Sequence, residues 1–262
     1  MGFLSPMLDP VLAVHSGWQL LFLVVSTFVA GLARGFSGFG GALIFMPLVS
    51  SVIGPRIAAP LLLIIDGFMA LGLIPNAWRQ ADRRGVGTMM IGAVIGIPLG
   101  TLALTQADPL TVRWGIAAVV ILLLLLLVSG WRYGGRPSAL LTVGVGGLSG
   151  LFTGATQAGG PPVVAYWLGG ASPSGIVRAN IVLYFAFSTV LTTASYLLGG
   201  LIVLPVLMLS IVAGPVYGAG LYLGARLFGR VNDRVFRWVC YGLIGTAAIV
   251  SLPLLDAILH RG

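Results

Sequence analysis

A glycine-rich stretch near the start of the chain carries polar side chains that could bind a ligand. The stretch GLARGFSGFGG spans residues 31–41 and places Arg34 and Ser37 just before the pair Gly40–Gly41. Guanidinium and hydroxyl groups donate hydrogen bonds, which is the chemistry that recognises anion oxygens. Arg34 and Ser37 are therefore candidate contacts for an anionic ligand.

A near copy of this stretch, GLFTGATQAGG, occupies residues 150–160. It again ends in a glycine pair and places hydroxyl and amide groups in front of it. Its candidate binding residues are Thr153, Thr156, Gln157, Gly159 and Gly160. Two related sets of hydrogen-bond donors predict a site to which both contribute.

The glycine pairs indicate breaks between two helical arms. Pro161 and Pro162 follow the second pair directly, as is typical where a helix begins and its first N–H groups lack an intrahelical partner. Free N–H groups and the positive end of the helix dipole favour an anion at such a start. Two tips that meet from opposite sides, at Gly40–Gly41 and at Gly159–Gly160, would hold one anion near the centre of the molecule.

Several glycines follow small-xxx-small spacing, which is typical of close packing between membrane helices. These spacings are Gly31/Gly35, Gly92/Gly96/Gly100, Gly150/Gly154 and Gly220/Gly224. We expect them to pack helices rather than bind ligand.

Two charges fall within apolar sequence. Arg34 ends the first arm and Asp66 lies within PLLLIIDGFMALGLIP. A charge at membrane depth costs at least about 2.5–3.5 kcal/mol, so each should be paired or functional. Two interpretations stay open: a structural Arg34–Asp66 pair, or an anion-contacting Arg34 with Asp66 as a proton-linked partner. Asn180, beside Arg178, is either an interfacial anchor or a further substrate contact.

The composition is that of an integral membrane protein. Hydrophobic residues make up 58% of the 262 residues and charged residues 8%, and the mean hydropathy is +1.07. Runs such as WGIAAVVILLLLLLVSG approach the roughly 20 residues that an α-helix needs to cross a bilayer. The net charge of +8 comes from arginines in short loops, which indicates membrane topology rather than a nucleic-acid surface.

The sequence offers little material for catalysis or for metal binding. It has one cysteine, Cys240, and two histidines near its ends, His15 and His260. A nucleophile with its base, or a cluster of ligands, would need more such groups. We therefore expect no metal, no cofactor and no enzymatic activity.

Arginine placement predicts the direction of each span. Plain spans fall at 57–75, 86–105, 112–130, 177–198, 201–225 and 235–259. Loops rich in arginine favour the cytoplasm, which places loops 76–85, 131–137 and 226–237 inside. Regions 17–53 and 138–171 then each enter and leave on one side, as hairpins with their turns at the glycine pairs, and both termini lie outside.

These assignments predict an all-α membrane protein built from two inverted-topology repeats. Each repeat is a glycine-tipped hairpin followed by three helices, an odd number of crossings. The predicted division is an amino-terminal segment 1–16, a first repeat 17–130, a linker 131–137 and a second repeat 138–262. Inverted repeats with interrupted helices are typical of secondary transporters that bind substrate near the midplane.

The segments GLARGFSGFGGALIFMPL, GLSGLFTGATQAGGPPVVAYWL and RANIVLYFAFSTVLTTASYLLGG resemble the TauE/SafE family, also called the toluene sulfonate uptake permease group. The resemblance runs from about residue 18 to 255. It implies a bacterial or archaeal inner membrane and the movement of sulfite or organosulfonates such as sulfoacetate. In the second tip, Gln157 stands where the family usually has a glycine.

The function that we expect is secondary transport of a small sulfur-containing oxyanion by alternating access. The expected partners are the lipid bilayer and the anionic substrate, with no nucleic acid, and a homodimer is compatible with the sequence. An anion channel is the first alternative, because a filter can also use backbone groups. An intramembrane enzyme is a second alternative, for which the sequence offers little catalytic material. A scaffold protein would have little need for polar side chains at two opposed tips.

Overall fold

The computed structural model describes residues 17–37, 40–70, 74–131, 133–134, 138–169, 173–227 and 233–252. Within these ranges every regular element is an α-helix. In chain order they are α1 (Gly17–Ser37), α2 (Gly41–Ile53), α3 (Pro55–Ala70), α4 (Ile74–Gln80), α5 (Arg83–Gln106), α6 (Pro109–Ser129), α7 (Ala139–Thr156), α8 (Gly160–Gly169), α9 (Ser174–Leu198), α10 (Leu204–Leu227) and α11 (Asp233–Val250).

Short polar side chains fix where several helices begin. The Asp82 carboxylate accepts a hydrogen bond from the Arg84 N–H at the start of α5, and the Ser138 hydroxyl accepts one from the Leu141 N–H at the start of α7. Such N-caps satisfy N–H groups that have no partner within the helix. α6 ends at Gly130, whose φ of 64° is the left-handed conformation that glycine adopts without strain.

The prediction of an all-α membrane protein is confirmed. Six of the described helices are long and apolar enough to cross a bilayer: α1, α5, α6, α7, α9 and α10. Their outer faces are apolar, as at Leu198, which is 91% exposed, and Ile211, which is 73% exposed. Apolar surface that continues over several long helices is typical of helices that face lipid.

The two glycine-rich regions are helix pairs broken at the predicted positions. Region 17–53 consists of α1 and α2, and Gly40 precedes α2 directly. Region 138–171 consists of α7 and α8, separated by Gln157, Ala158 and Gly159. In each pair the first arm is long and the second is short. That each pair enters and leaves on one side of the membrane stays a prediction.

The span predicted at 57–75 differs from the structure. α3 ends at Ala70, and the residues predicted as loop after position 75 belong partly to α4, which lies at 74° to α3. Pro75 occupies the first turn of α4, where a missing N–H costs nothing, and Gln80 donates a hydrogen bond to the Asn76 side chain one turn earlier. Hydropathy alone gave no signal for this bend.

Two seams of glycine each join a helix of the first half of the sequence to a helix of the second half. Along α5, Gly92, Gly96 and Gly100 lie against backbone carbonyls of α7, and a Cβ at any of them would overlap those carbonyls. Along α1, Gly31 and Gly35 lie in the same way against Tyr217 and Leu221 of α10. The predicted packing role of these glycines is confirmed, since only residues without a Cβ permit this approach.

The seams have related positions in the two halves of the chain. Each joins the long arm of one glycine-tipped pair to the second long helix after the other pair: α1 to α10, and α7 to α5. This exchange is what two related halves predict. The inversion of one half relative to the other stays a prediction.

Buried apolar side chains form two clusters. The larger draws on α1, α2, α3, α6, α10 and α11, with a few residues from elsewhere, and we call these helices the first bundle. The smaller draws on α4, α5, α8 and α9, with partly buried residues of α7 packed against it, and we call these five the second bundle. Both bundles therefore contain helices from each half of the sequence.

Candidate functional site

A cavity of about 60 Å³ lies between the two bundles. A water molecule needs roughly 10–15 Å³ by this measure, so the space fits a solute of a few heavy atoms. Both bundles contribute to its walls: α1, α2, α3 and α10 of the first bundle face α7, α8 and α9 of the second. Both glycine-rich tips contribute to it.

The wall from the first bundle carries a three-residue hydrogen-bond cluster. Arg34 Nε of α1 donates to Asp66 Oδ1 of α3 at 2.9 Å. Tyr217 of α10 donates from its hydroxyl to the same oxygen at 2.8 Å. Arg34 and Asp66 are partly exposed to the cavity, with 18% and 29% of their side chains accessible. Arg34 and Asp66 thus form an ion pair, and both side chains still line the cavity.

The wall from the second bundle contains Gln157 in an uncommon backbone conformation. Its φ of 56° is in the left-handed region, which most side chains avoid. The amide Nε2 donates to the hydroxyl of Tyr196 at 3.1 Å, and that hydroxyl donates to the Gly154 carbonyl at 2.8 Å. Tyr196 therefore ties the carboxyl-terminal end of α7 to α9 and holds Gln157 at the cavity.

The hydroxyl groups at the second tip bond to their own helix. Thr153 Oγ1 donates to the Ser149 carbonyl at 2.8 Å, and Thr156 Oγ1 donates to the Phe152 carbonyl at 2.9 Å. Ser149 donates across the break to the Gly159 carbonyl at 2.7 Å. A Cβ on Gly159 would overlap the Thr153 hydroxyl, so a glycine is required for the chain to turn here. The Thr153 oxygen keeps a free lone pair, and its proton is already directed to the helix.

α9 completes the wall with two hydroxyls and an aromatic ring. Ser188 and Thr189 line the cavity, and so does Phe185, whose ring centroid lies 6.0 Å from Arg34 Cζ. This distance is at the outer limit of a cation–π contact. The guanidinium of the first bundle therefore faces an aromatic ring of the second.

The structure brings together part of the predicted site. Arg34, Asp66, Thr153, Gln157 and Gly160 all line the cavity. Gly40 and Gly41 are buried at the start of α2, next to the lining residue Ala42. Ser37 ends α1, and its side chain lies outside the described residues.

Three predicted contacts lie apart from the lining. Thr156 is buried and bonded to its own helix, and Gly159 is packed behind Thr153. Asn180 is 2% exposed, and its Oδ1 accepts a hydrogen bond from the Asp82 N–H at 2.7 Å. It thus joins the start of α5 to α9, a buried contact that differs from the interfacial anchor considered from the sequence.

Sequence reasoning missed Tyr217, Ser188 and Thr189. The signal for Tyr217 was a polar aromatic residue in the middle of a span, inside the small-residue run GPVYGAG. For α9 it was the series of hydroxyls in FSTVLTTAS, at helical spacing. Neither pattern says which other helix it faces, so the cavity could not be assembled from it.

No group of three or more histidine, cysteine, aspartate or glutamate side chains within the described ranges could hold a metal ion. The charged groups in the cavity wall are Arg34 and Asp66. The wall thus offers a cation, a carboxylate, hydroxyls and an amide. Such a set can bind a small polar solute reversibly.

Comparison with known proteins assigns the family. The family model described as sulfite exporter TauE/SafE matches residues 23–251. The chain belongs to the TauE/SafE family. The match covers both glycine-rich breaks and every residue that lines the cavity, and it confirms the resemblance seen in the glycine-rich segments.

Membership of TauE/SafE, together with the apolar helices, makes this chain a multi-pass membrane protein of a transporter family. No curated protein and no solved structure gives a match. The cavity between the bundles is therefore interpreted from its own chemistry.

Proposed function

We propose that this TauE/SafE protein is a secondary transporter that carries a small sulfur-containing oxyanion, sulfite or an organosulfonate such as sulfoacetate, through the cavity between its bundles. The family supports the substrate class. The observation that carries the proposal is that both tips line one cavity, the first with Arg34 and the second with Gln157 and Gly160.

In this proposal Arg34 is the main contact for the anion. A guanidinium pairs with planar or pyramidal oxyanions through directed N–H donors, and a charge-assisted hydrogen bond is roughly twice as strong as a neutral one. The Gln157 amide and the hydroxyl of Thr189 supply neutral donors from the opposite wall. The anion would thus hold the two bundles together when bound.

Alternating access would follow from movement of one bundle against the other. Each bundle has its own apolar core, and the cavity lies where the cores are separate. Closely packed cores move as units, whereas the space between them can open. We therefore place the moving boundary between the bundles.

Asp66 supplies the coupling in our proposal. Its carboxylate is 29% exposed and faces the space that the anion would occupy. The charged or titratable groups around it are Arg34 of α1 and Tyr217 of α10, and α9 presents Phe185, Ser188 and Thr189. Because a carboxylate repels an anion, protonation of Asp66 would favour binding, which couples the anion to a proton.

Measuring which anions bind to the purified protein tests the proposed substrate class. The thermal midpoint would be measured with sulfite, sulfate, thiosulfate, sulfoacetate and taurine, since a ligand at a hundred times its Kd stabilises the native state by about 2.7 kcal/mol. We expect one of the sulfur anions to raise the midpoint of the wild type and of Arg79→Gln, a control on the exposed face of α4, but not that of Arg34→Gln. An equal rise in Arg34→Gln would contradict the site.

Flux through proteoliposomes tests the mechanism. A transporter shows saturable uptake and exchange of labelled anion, whereas a channel shows much faster flux that does not saturate in the same way. With Asp66→Asn, we expect exchange to persist while accumulation driven by a pH gradient is lost. Gradient-driven accumulation in that variant would remove Asp66 from the coupling.

The membrane placement belongs to the same proposal. We propose a bacterial or archaeal inner membrane, with both termini outside and the two repeats, 17–130 and 138–262, inverted relative to each other. Labelling of single cysteines at positions 55 and 172 from one side of the membrane decides the point. Modification of both from the same side would be incompatible with inverted repeats.

A further inference from the structure

Tyr217 of α10 contributes to the wall of the proposed anion site. Its hydroxyl and Arg34 Nε donate to the same oxygen, Asp66 Oδ1, at 2.8 and 2.9 Å. We propose that Tyr217 is a positioning residue, which holds the Asp66 carboxylate and thereby keeps the Arg34 guanidinium directed at the anion. This inference rests on the proposed function of the cavity.

The tyrosine is held rigidly. Its side chain is fully buried, and its backbone carbonyl packs against Gly31 of α1. A Cβ on Gly41 would lie 2.9 Å from its hydroxyl oxygen. Gly31 of α1 and Gly41 of the first tip therefore lie against the backbone and the hydroxyl of Tyr217, so the hydroxyl has a defined place relative to Asp66.

The position of the Tyr217 hydroxyl affects anion binding because Tyr217 and Arg34 share one oxygen of Asp66. A carboxylate held by two donors on Oδ1 keeps one orientation, and Arg34 is then held through Nε at a fixed edge. If one donor is lost, the Asp66 side chain is free to rotate towards the cavity that it lines. There it would repel an anion and draw the guanidinium away from it.

The variant Tyr217→Phe removes the hydroxyl and keeps the ring. A hydrogen bond to a charged group contributes enough that we expect KM for the transported anion to rise about tenfold, with an unchanged maximal rate. The matched control is Tyr241→Phe, which removes a hydroxyl that donates to the Leu127 carbonyl at 3.3 Å between α11 and α6, away from the cavity. It should leave KM unchanged.

A double-mutant cycle tests whether Tyr217 acts through Asp66. If it does, adding Tyr217→Phe to Asp66→Asn leaves KM at the value of the Asp66→Asn protein, because there is no longer a carboxylate whose orientation matters. A rise in KM in that background as large as the rise that Tyr217→Phe causes alone would overturn the inference. So would a folded Tyr217→Phe protein with the KM of the wild type, or one whose maximal rate and thermal midpoint fall while KM stays constant.

Hydrogen exchange measured by NMR tests the role of Tyr217 independently of anion transport. The Nε–H signal of Arg34 in protein labelled with ¹⁵N-arginine can be assigned by its loss in Arg34→Gln. Tyr217→Phe should speed hydrogen exchange at that N–H, and Tyr241→Phe should not. Unchanged exchange would overturn the positioning role. If the wild type moves none of the sulfur anions, the proposed function fails while this arm still decides the role of Tyr217.

Discussion

Gly41 lies beneath the hydroxyl of Tyr217, so close that a Cβ on the glycine would stand 2.9 Å from that oxygen and 3.0 Å from Arg34 Cβ. The start of α2 is therefore packed against two members of the Arg34, Asp66 and Tyr217 cluster. The glycine pair of the first tip does more than break a helix. It lets a tyrosine from α10 reach a carboxylate on α3.

Adding one methyl group at position 41 should disturb that cluster. Overpacking a buried position costs about 1–3 kcal/mol, and here the neighbours include helix backbone. We expect Gly41→Ala to lower thermal stability and to impair anion binding, as measured by thermal unfolding in detergent with and without the anion. Gly87→Ala is the control, because Gly87 lies in α5 with open space around it. Equal effects of the two variants would show that the contact with Tyr217 is unimportant.

Two substitutions at Gln157 separate the effects of backbone strain and of hydrogen bonding on stability. Its φ of 56° costs an ordinary residue roughly 1–2 kcal/mol, and its amide recovers part of that by donating to Tyr196. Gln157→Ala keeps the strain and loses the bond, whereas Gln157→Gly loses both. We expect the glycine variant to be more stable than the alanine variant by about 1 kcal/mol. Since both remove the amide, both should bind the anion more weakly than the wild type. Equal stabilities would contradict the strained backbone.

The seam between α5 and α7 predicts a sharp contrast between two glycines. A Cβ at Gly96 would overlap the Gly147 carbonyl, whereas Gly144, one turn earlier on the facing helix, has open space. Gly96→Ala should therefore destabilise the protein by about 1–3 kcal/mol, and Gly144→Ala should be neutral or slightly stabilising. Thermal unfolding of both variants measures the difference. Similar midpoints would mean that the helices can separate at little cost.

Asp108 should give the protein part of its stability against acid. It is the N-cap of α6, and hydrogen bonds from the hydroxyl and then the backbone N–H of Thr111 hold its pKa below the usual value. Because the pKa is lower in the folded state, the ionised carboxylate of Asp108 stabilises the fold fully above its unfolded-state pKa of about 3.9. This stabilisation is lost as the pH falls through the folded-state pKa.

Replacing Asp108 with asparagine keeps the cap and removes the titration. Asparagine caps helices about as well as aspartate, so Asp108→Asn should match the wild type near neutral pH. Between roughly pH 5 and pH 2 the thermal midpoint of the wild type should fall more steeply than that of the variant. Parallel acid profiles would show that this cap does not contribute.

Much of this fold is predictable because the bilayer imposes simple requirements on sequence. Long apolar runs gave the spans that became α5, α6, α9 and α10, and the glycine pairs gave the breaks before α2 and α8. The small-residue spacings indicated close packing, and both seams show it. The bend between α3 and α4 was missed, because it depends on local turn chemistry that hydropathy does not register.

The site was harder to predict because its walls come from distant segments. Arg34 and Asp66 were identifiable as charges that need a partner, and they form an ion pair. Tyr217 was missed, because its role depends on the glycine seam that brings α10 onto α1. Asn180 has the polarity of a ligand contact, and only the structure shows that the Asp82 N–H occupies its oxygen.

The seam between α1 and α10 also constrains the order in which the protein can be made. α1 is synthesised well before α10, yet the backbone against which Gly31 and Gly35 pack arrives only with Tyr217 and Leu221 of α10. Until α10 is inserted, the glycine face of α1 has only lipid or an interim neighbour beside it. Assembly in the order of synthesis, which suits chains built of independent domains, therefore leaves α1 in the bilayer without its packing partner until α10 is made.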